Sequence, residues 1–429
     1  MQTKDTEKIR DILNFWKREV LNDRLFPRVL TSSSDINNSE VVDITGVRRS
    51  GKSSVLMLLA KSLPDKDSWL YINFEDPYFS ENNKASVLED VVEVYTRYFS
   101  DKLKYLFFDE IQNIDSWERV IRKYRDGTSY KIFITGSSSK LMSGELSTLL
   151  TGRHVSFSLM PLSFKEYLSF KGIAAESAKD LFMKNNEINR AFPEYLSYGG
   201  FPQVVLTGQR ELLKSYYGDI VERDIIGRYD VRDKNTLEKI GLFIMSNVSK
   251  TLSPTSLKKM YSISFAKAVR YADYFKEAML CYELEQYSSS LKSRQRSLKK
   301  IYSVDTGLAN VVSMSFSEDR GRLLENAVFL ELKRRGKQLF YYKTPLCEVD
   351  FVIREGGRDK ELVQVCWDLS DSATKARELK ALKKAAIDLK LDKATVVTVD
   401  QKETIMHEGL KVEVVPAHEW FIGVGSNNE

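Results

Sequence analysis

Cysteine is scarce, with three in 429 residues (Cys281, Cys347, Cys366), and histidine is no commoner at three. Neither supports a disulfide framework or a zinc-ligand spacing. Long apolar runs are missing: none approaches the roughly 20 residues that a membrane helix needs. The opening stretch, "MQTKDTEKIRDILNFWKREV", is charged throughout and lacks the pattern of a secretory leader. Neither sign of charge dominates, since 65 basic residues face 60 acidic ones for a net +5. Any basic surface must therefore be local. Internal repeats and low-complexity tracts are lacking as well. These absences lead us to expect a cytoplasmic chain in a reducing compartment, with no membrane partner.

What is present is a globular balance, 42% hydrophobic and 29% charged, at a length that suggests two to four domains. Ile9, Ile12, Leu13, Trp16 and Val20 make one face of an amphipathic helix. After the loop "TSSSDINNSE", five short apolar segments alternate with helical patterns: "VVDIT", "SWLYINF", "KYLFFD", "YKIFIT" and "HVSFSL". Nearly continuous apolar strands separated by helices imply a parallel sheet covered on both faces. Pro161 ends this pattern, and Ser163 with Glu166 forms a capping box that restarts a helix. We expect an α/β core over 1–160, a helical segment over 161–234 interrupted at "YGGFPQ", helices and a basic hairpin over 235–305, and a second α/β unit over 306–429.

"GVRRSGKS" satisfies G-x-x-x-x-G-K-[ST] between a strand and a helix. Gly46 and Gly51 permit the turns that aim backbone N–H groups at phosphate, and the following helix offers its positive dipole end. Gly46, Val47, Arg48, Arg49, Ser50, Gly51, Lys52, Ser53 and Ser54 are the candidate binding loop for ATP. Lys52 would reach the β- and γ-phosphates, and the Ser53 hydroxyl would ligate Mg²⁺. Asp109 and Glu110 emerge at the end of "KYLFFDE", the edge where ligands bind in such sheets. Asp109 would hold the Mg²⁺ shell, and Glu110 would deprotonate the attacking water. A small polar side chain after "YKIFIT" would lie beside Asp109. Ser137 is the first choice for it and Ser138 the second. Arg153 would neutralise transition-state charge across a subunit boundary, which implies a homo-oligomer.

Together "GVRRSGKSS", "LFFDEIQNIDSWE", "FITGSSSKLM", "LLTGRHVSFSLMPLSFKEYL" and "YLSYGGFPQVV" resemble a group of AAA+-type ATPases of archaea and bacteria. Those proteins join the ATPase core to a C-terminal domain of unknown function. The resemblance spans almost the whole chain. It implies a P-loop sheet in the order 5-1-4-3-2, followed by a helical lid over 161–234.

From Gly241 to Asp305 there are 11 Lys or Arg against 5 Asp or Glu, a local excess greater than that of the whole chain. This is an electrostatic footprint suited to DNA. Three helical patterns and a hairpin, "CYELEQYSSSLKSRQRSLKKIYSVD", follow the order of a winged helix over 235–305. Lys267 and Arg270 on the third helix would face a groove, while Lys292, Arg294 and Arg296 on the wing would touch phosphate. The alternative is a solvated face on a module that binds protein.

The C-terminal segments "GRLLENAVFLELKRRG", "KQLFYYKT", "CEVDFVIREG" and "ELVQVCWDL", then a helix and a strand, resemble a restriction-endonuclease-like core over 306–429. Families with that core place Glu on the helix, Asp at a strand end and E-x-K on the next strand. Glu325 and Asp350 match, but Gln364 stands for Glu and Cys366 for Lys. A neutral amide binds Mg²⁺ weakly and a thiol does not activate water, so the degenerate site Glu325–Asp350–Gln364 predicts an inactive nuclease. Lys343 on the neighbouring strand is a possible substitute for the missing lysine. The leading expectation is a Mg²⁺-dependent ATPase acting on DNA. The rivals are a nucleotide-gated signalling switch and an ATP-controlled nuclease.

Overall fold

The computed structural model describes residues 3–32, 40–127, 129–136, 154–175, 178–288, 290–313 and 319–423. It divides into two compact units, Met1–Met160 and Pro161–Glu429.

The first unit runs α1 (Thr3–Asn22), β1 (Val41–Thr45), α2 (Lys52–Ser62), β2 (Trp69–Asn73), α3 (Pro77–Glu81), α4 (Ser86–Tyr98), β3 (Tyr105–Asp109), α5 (Trp117–Gly127), β4 (Lys131–Gly136) and β5 (His154–Ser158). The five strands pair in parallel in the order β2-β3-β4-β1-β5, the order expected from the sequence. The two faces of the strands feed two cores. Leu70, Ile72, Leu106, Phe108, Ile132 and Ile134 pack with Ile9, Ile12 and Leu13 of α1 and with α4 and α5. Val42, Ile44, Tyr71, Phe107 and Phe133 pack with Val55, Leu56 and Ala60 of α2 and with Val20 of α1. Period-2 alternation splits each strand between the two cores, and this is why the strands read as unbroken apolar runs. Each large apolar side chain so buried contributes about 1.5–3 kcal/mol. The C-terminal ends of β1, β2, β3 and β4, at Thr45, Asn73, Asp109 and Gly136, lie along one edge of the sheet.

The second unit opens on the helix Phe164–Phe170. The Ser163 hydroxyl accepts from Glu166 N–H at 3.2 Å, and Ser163 N–H donates to the Glu166 carboxylate at 2.9 Å, completing the expected capping box. The "YGGFPQ" break has a steric cause. A side chain on Gly199 (φ +72°) would lie 2.0 Å from an Asp305 oxygen, and one on Gly200 would lie 2.4 Å from the Leu162 carbonyl oxygen. Asp305 accepts from Gly200 N–H at 2.7 Å and caps the helix Thr306–Val312 through Leu308 N–H at 2.9 Å.

The middle of this unit reads helix Lys234–Ser246, β6 (Lys250–Leu252), helix Pro254–Tyr261, helix Phe265–Glu277, β7 (Cys281–Leu284) and β8 (Lys299–Ser303). The strands form an antiparallel sheet in the order β6-β8-β7. Two features differ from expectation. A short strand, β6, separates the first two helices. The hairpin tip, read as a polar, basic tip between two strands, carries the helix Leu291–Arg296 capped by the Ser290 hydroxyl. Ser290 and the serine-and-arginine run that follows favour a capped turn over an extended loop.

The C-terminal part has the helix Arg320–Arg334, β9 (Gln338–Lys343), β10 (Glu348–Glu355), β11 (Arg358–Val365), the helix Ser372–Leu389, β12 (Lys393–Thr398), β13 (Glu403–His407) and β14 (Leu410–Pro416). Its mixed sheet has the order β13-β14-β12-β11-β10-β9, with β11, β12 and β14 parallel. The sequence of helix, three strands, helix and strand is as read, and β13 and β14 extend it. Among the described residues no helix is long and apolar enough to cross a membrane.

Candidate functional site

The loop after β1 is held open by geometry that few residues tolerate. A Cβ on Gly46 would lie 2.2 Å from the Leu159 carbonyl oxygen. Gly51 sits at φ +98° at the start of α2, and exposed Arg49 also takes a left-handed φ of +70°. Arg28, buried at 6% exposure, staples the loop. Its guanidinium donates to the Ser50 carbonyl and to the Met160 carbonyl, each at 2.9 Å. Ser50 Oγ is buried without a hydrogen-bond partner among the described residues. Arg48 pairs with Glu75 at 2.8 Å. Val47 is buried, while Ser53 and Ser54 are half-buried at the first turn of α2.

Lys52 is buried at 4% exposure. Its ammonium donates to the Gly46 carbonyl at 3.2 Å and the Val47 carbonyl at 3.5 Å, and lies 3.5 Å from the Glu110 carboxylate. Asp109, fully buried at the end of β3, is clamped from both neighbouring strands. Tyr71 OH donates to it at 2.8 Å and Asn73 Nδ2 at 3.0 Å, while the Thr135 hydroxyl donates to its other oxygen. Burial and the adjacent Glu110 charge raise Asp109 to about 6, against hydrogen bonds from Ser53, Thr135 and Tyr71. For Glu110 burial pulls upward, but Lys52, Gln112 and Arg48 outweigh it and hold the carboxyl below its usual range. The Glu110 backbone is left-handed at φ +51°, and its N–H donates to Thr135 Oγ1 at 3.0 Å. Such a conformation costs a non-glycine residue about 1 kcal/mol and turns the side chain back toward Lys52.

The structure thus brings Lys52, Ser53, Asp109 and Glu110 to one edge of the sheet. Ser137, Ser138 and Arg153 lie outside the described residues. The polar residue seen beside Asp109 is Thr135, which sequence reasoning passed over. Its signal was register: Phe108 stands opposite Ile134, so the next pair along is Asp109 and Thr135. Tyr71 and Asn73, two residues apart on one face of β2, were missed for the same reason.

In the second unit the carboxylates of Glu325 and Asp350 also meet, but around a lysine. Lys300 of β8, 3% exposed, places Nζ 3.1 Å from Glu325, 2.9 Å from Glu348 and 3.0 Å from Asp350. Tyr302 OH donates to Glu325 at 2.8 Å. Burial and the Asp350 charge raise Glu325 to about 8, although Lys300 opposes them. Burial pulls the Lys300 value down, but Asp350, Glu325 and Glu348 outweigh it and hold the ammonium above its usual range. Gln364 stands beside this group without facing Lys300. It accepts from Asp350 N–H at 3.1 Å and donates to Glu378 at 2.8 Å. Lys343 pairs with Glu348 at 2.6 Å, and the Cys366 thiol donates to the Asp368 carbonyl at 3.2 Å. Among the described residues no three His, Cys, Asp or Glu side chains are arranged to hold a metal ion.

The basic residues of the middle part divide. Arg232, Lys267 and Arg270 line a hollow of about 380 Å³ with Tyr229, Tyr271 and Tyr274. Lys267 there is paired with Asp233 at 2.6 Å, and Arg270 is exposed. On the tip helix Lys292 and Arg296 are exposed, while Arg294 lies 5.5 Å above the Phe340 ring. The tip is sewn to β9. Tyr287 N–H donates to the Tyr341 carbonyl at 2.7 Å, and Tyr341 N–H donates to the Glu285 carbonyl at 3.0 Å.

A Gly-Lys-Ser loop before a helix and an Asp–Glu pair at the edge of a 2-3-4-1-5 parallel sheet define a P-loop ATPase of the AAA class. Residues 38–168 match the family described as AAA domain, while 189–319 and 320–420 match two domains of unknown function, DUF8612 and DUF4143. An uncharacterized protein of Methanocaldococcus jannaschii is 37% identical over 405 residues, covering 88% of this chain and 87% of that one. One from Haemophilus influenzae is 31% identical over 353 residues, covering 79% and 86%. The chain belongs to the same family as these two proteins, and its residues 38–168 match the AAA domain. The Aeropyrum pernix ORC1 protein in complex with DNA is a structural neighbour at TM-score 0.30 and 10% identity, covering 72% of this chain and 91% of that one. AMPPCP-bound DnaA from Aquifex aeolicus is another at TM-score 0.23 and 10% identity, covering 62% and 86%. Scores this low leave the assignment on the sequence relatives and the family match.

Proposed function

We propose that this protein hydrolyses ATP to ADP and phosphate with Mg²⁺ and acts on DNA in the cytoplasm. The observation that carries the reading is the convergence of Lys52, Ser53, Asp109 and Glu110 at the ligand-binding edge of the sheet. The donor set fits the ion: the Ser53 hydroxyl and the Asp109 carboxylate are hard oxygens of the kind Mg²⁺ takes together with phosphates. Bound there, Mg²⁺ would offset the charge of the phosphates. Lys52 would leave the Gly46 and Val47 carbonyls for the β- and γ-phosphates. Glu110, kept ionised by its cationic neighbours, would orient and deprotonate the attacking water. Thr135 fixes Asp109 and the Glu110 N–H from one hydroxyl, so it positions both acids. Arg153 would complete the site in trans within a homo-oligomer, and Ser137 would contact the γ-phosphate.

The DNA half of the reading rests on the middle part. Its helix–strand–helix–helix–strand–tip–strand order, with β6 paired to β8, supports the reading as a winged helix. The hollow lined by Arg232, Lys267 and Arg270 beside three tyrosines suits a phosphate backbone. Lys292 and Arg296 would add wing contacts. The segment 161–234 serves as a lid. The helix and strand order of the C-terminal part supports a nuclease-like fold, which would serve as a platform, with Gln364 and Cys366 where a nuclease would have Glu and Lys.

The test is steady-state ATP hydrolysis by the wild type and Glu110→Gln, with and without duplex DNA, and a gel for nicking. We expect stimulation of the wild type by DNA, no nicking, and a loss of about 10²-fold or more in Glu110→Gln. Slow hydrolysis indifferent to DNA would replace the DNA half with the signalling switch. Wild-type hydrolysis undiminished in Glu110→Gln would remove the catalytic assignment.

A further inference from the structure

Lys300 has its backbone in one sheet and its charge in another. Along β8 it pairs with Thr251 of β6 and Leu284 of β7, both in the three-stranded sheet. Its ammonium is spent on Glu325 of the helix Arg320–Arg334 and on Glu348 and Asp350 of β10, at 3.1, 2.9 and 3.0 Å. Tyr302, two residues on and on the same face of β8, donates to Glu325 and stacks on Phe329 at 4.1 Å with an 8° tilt. An ammonium this deep is unfavourable unless every charge around it is answered, and the reverse holds for the three carboxylates. Asp350 adds a hydrogen bond from Val365 N–H at 3.0 Å, and Gln364 turns its amide away to Glu378.

The oxygens therefore share one buried cation that is covalently part of the chain, and Glu348 alone has a second at its exposed side, Lys343 at 2.6 Å. We propose that the Lys300 ammonium is an internal counter-cation that closes the Glu325–Glu348–Asp350 cluster to metal ions and clamps the three-stranded sheet onto the six-stranded one. The inference does not depend on the nucleotide reading. It makes lysine and a divalent cation mutually exclusive at these oxygens. The oxygens stand about 3 Å from Nζ, whereas a small divalent cation takes them at roughly 2.0–2.2 Å, so they would have to draw inward by less than an ångström. That is a movement within the reach of side chains and not of the sheet. Removal of the lysine leaves the carboxyl cluster without its buried counter-charge, and an added cation then restores the balance.

The experiment is a thermal melt of the full chain, as wild type and as Lys300→Met, with and without millimolar MnCl₂. Lys300→Met should melt several degrees lower, and Mn²⁺ should recover much of that loss while leaving the wild type unmoved. Adding Asp350→Asn to Lys300→Met should abolish the recovery. Should Lys300→Met alone not fold, the pair Lys300→Met with Glu348→Gln lowers the repulsion and is melted in the same way. An equal Mn²⁺ shift in wild type and variant would overturn the proposal, because the lysine would not be excluding metal. Variants that gain nothing from Mn²⁺, or that melt like the wild type without it, would overturn it as well.

Discussion

Two buried lysines face carboxylates in this chain, and they are held differently. Lys52 has one acid at 3.5 Å and two backbone carbonyls at 3.2 and 3.5 Å, on a loop that turns through left-handed residues. Lys300 has three acids at 2.9–3.1 Å and sits in the middle of a strand paired on both sides. The first set of contacts is long and partly neutral, so an anion of higher charge can displace it. The second is short and made only to carboxyl groups, and an arriving phosphate would have to displace all three. The same side chain at the same depth is thus poised for a ligand in one place and consumed by the fold in the other. Partner count and distance make the difference, and burial does not.

The comparison can be broken at either lysine. Lys52→Ala should lower ATP hydrolysis by roughly 10²–10³-fold, the scale for removing a preorganised donor from developing phosphate charge. It should leave the melting temperature close to wild type, since its contacts are long; a large loss of stability would show that Lys52 is consumed as Lys300 is. The Lys300 cluster makes a second prediction through Glu325, raised to about 8 from its usual 4.5. A carboxyl whose folded value is raised contributes stability that is full below its unfolded value and is lost as pH rises through the folded one. The wild type should therefore lose a few kcal/mol as pH rises from about 4.5 to about 8. Glu325→Gln, neutral throughout, should flatten that slope in melts across the range. A slope unchanged by Glu325→Gln would place the titration elsewhere. The smallest effect is expected at Thr135. Thr135→Val removes the hydroxyl that joins Asp109 to the Glu110 N–H, and kcat should fall by about tenfold while KM for ATP changes little. A rise in KM alone would make Thr135 a binding contact and not a positioning one.

The two sites were not equally readable in advance. The nucleotide site was legible because its residues lie in short contiguous strings whose neighbours, a buried strand before and a helix after, are themselves local signals. Among the described residues Thr135, Tyr71 and Asn73 escaped, since their roles depend on which residue of one strand stands opposite Asp109. The C-terminal site was half legible. Glu325, Asp350 and Gln364 could be named from the helix and hairpin strings. Lys300 gave no such hint, because "SLKKIYS" reads as basic surface, and the alternation that turns Lys299 outward and Lys300 inward is visible only with β8 in place. The tip helix was missed because a short polar run reads as a loop until Ser290 is seen to cap it.

By itself, then, the sequence determined the parallel sheet, its helices, the phosphate loop and the acids at the sheet edge, since each follows from spacing within a dozen or so residues. The tertiary structure decided what each buried charge is for. Lys300 lies 25 residues from Glu325 and 50 from Asp350, and Arg28 lies 132 from the carbonyl it holds. Charges that far apart in the chain meet only when separate elements dock, and the free energy of burying them depends on that meeting.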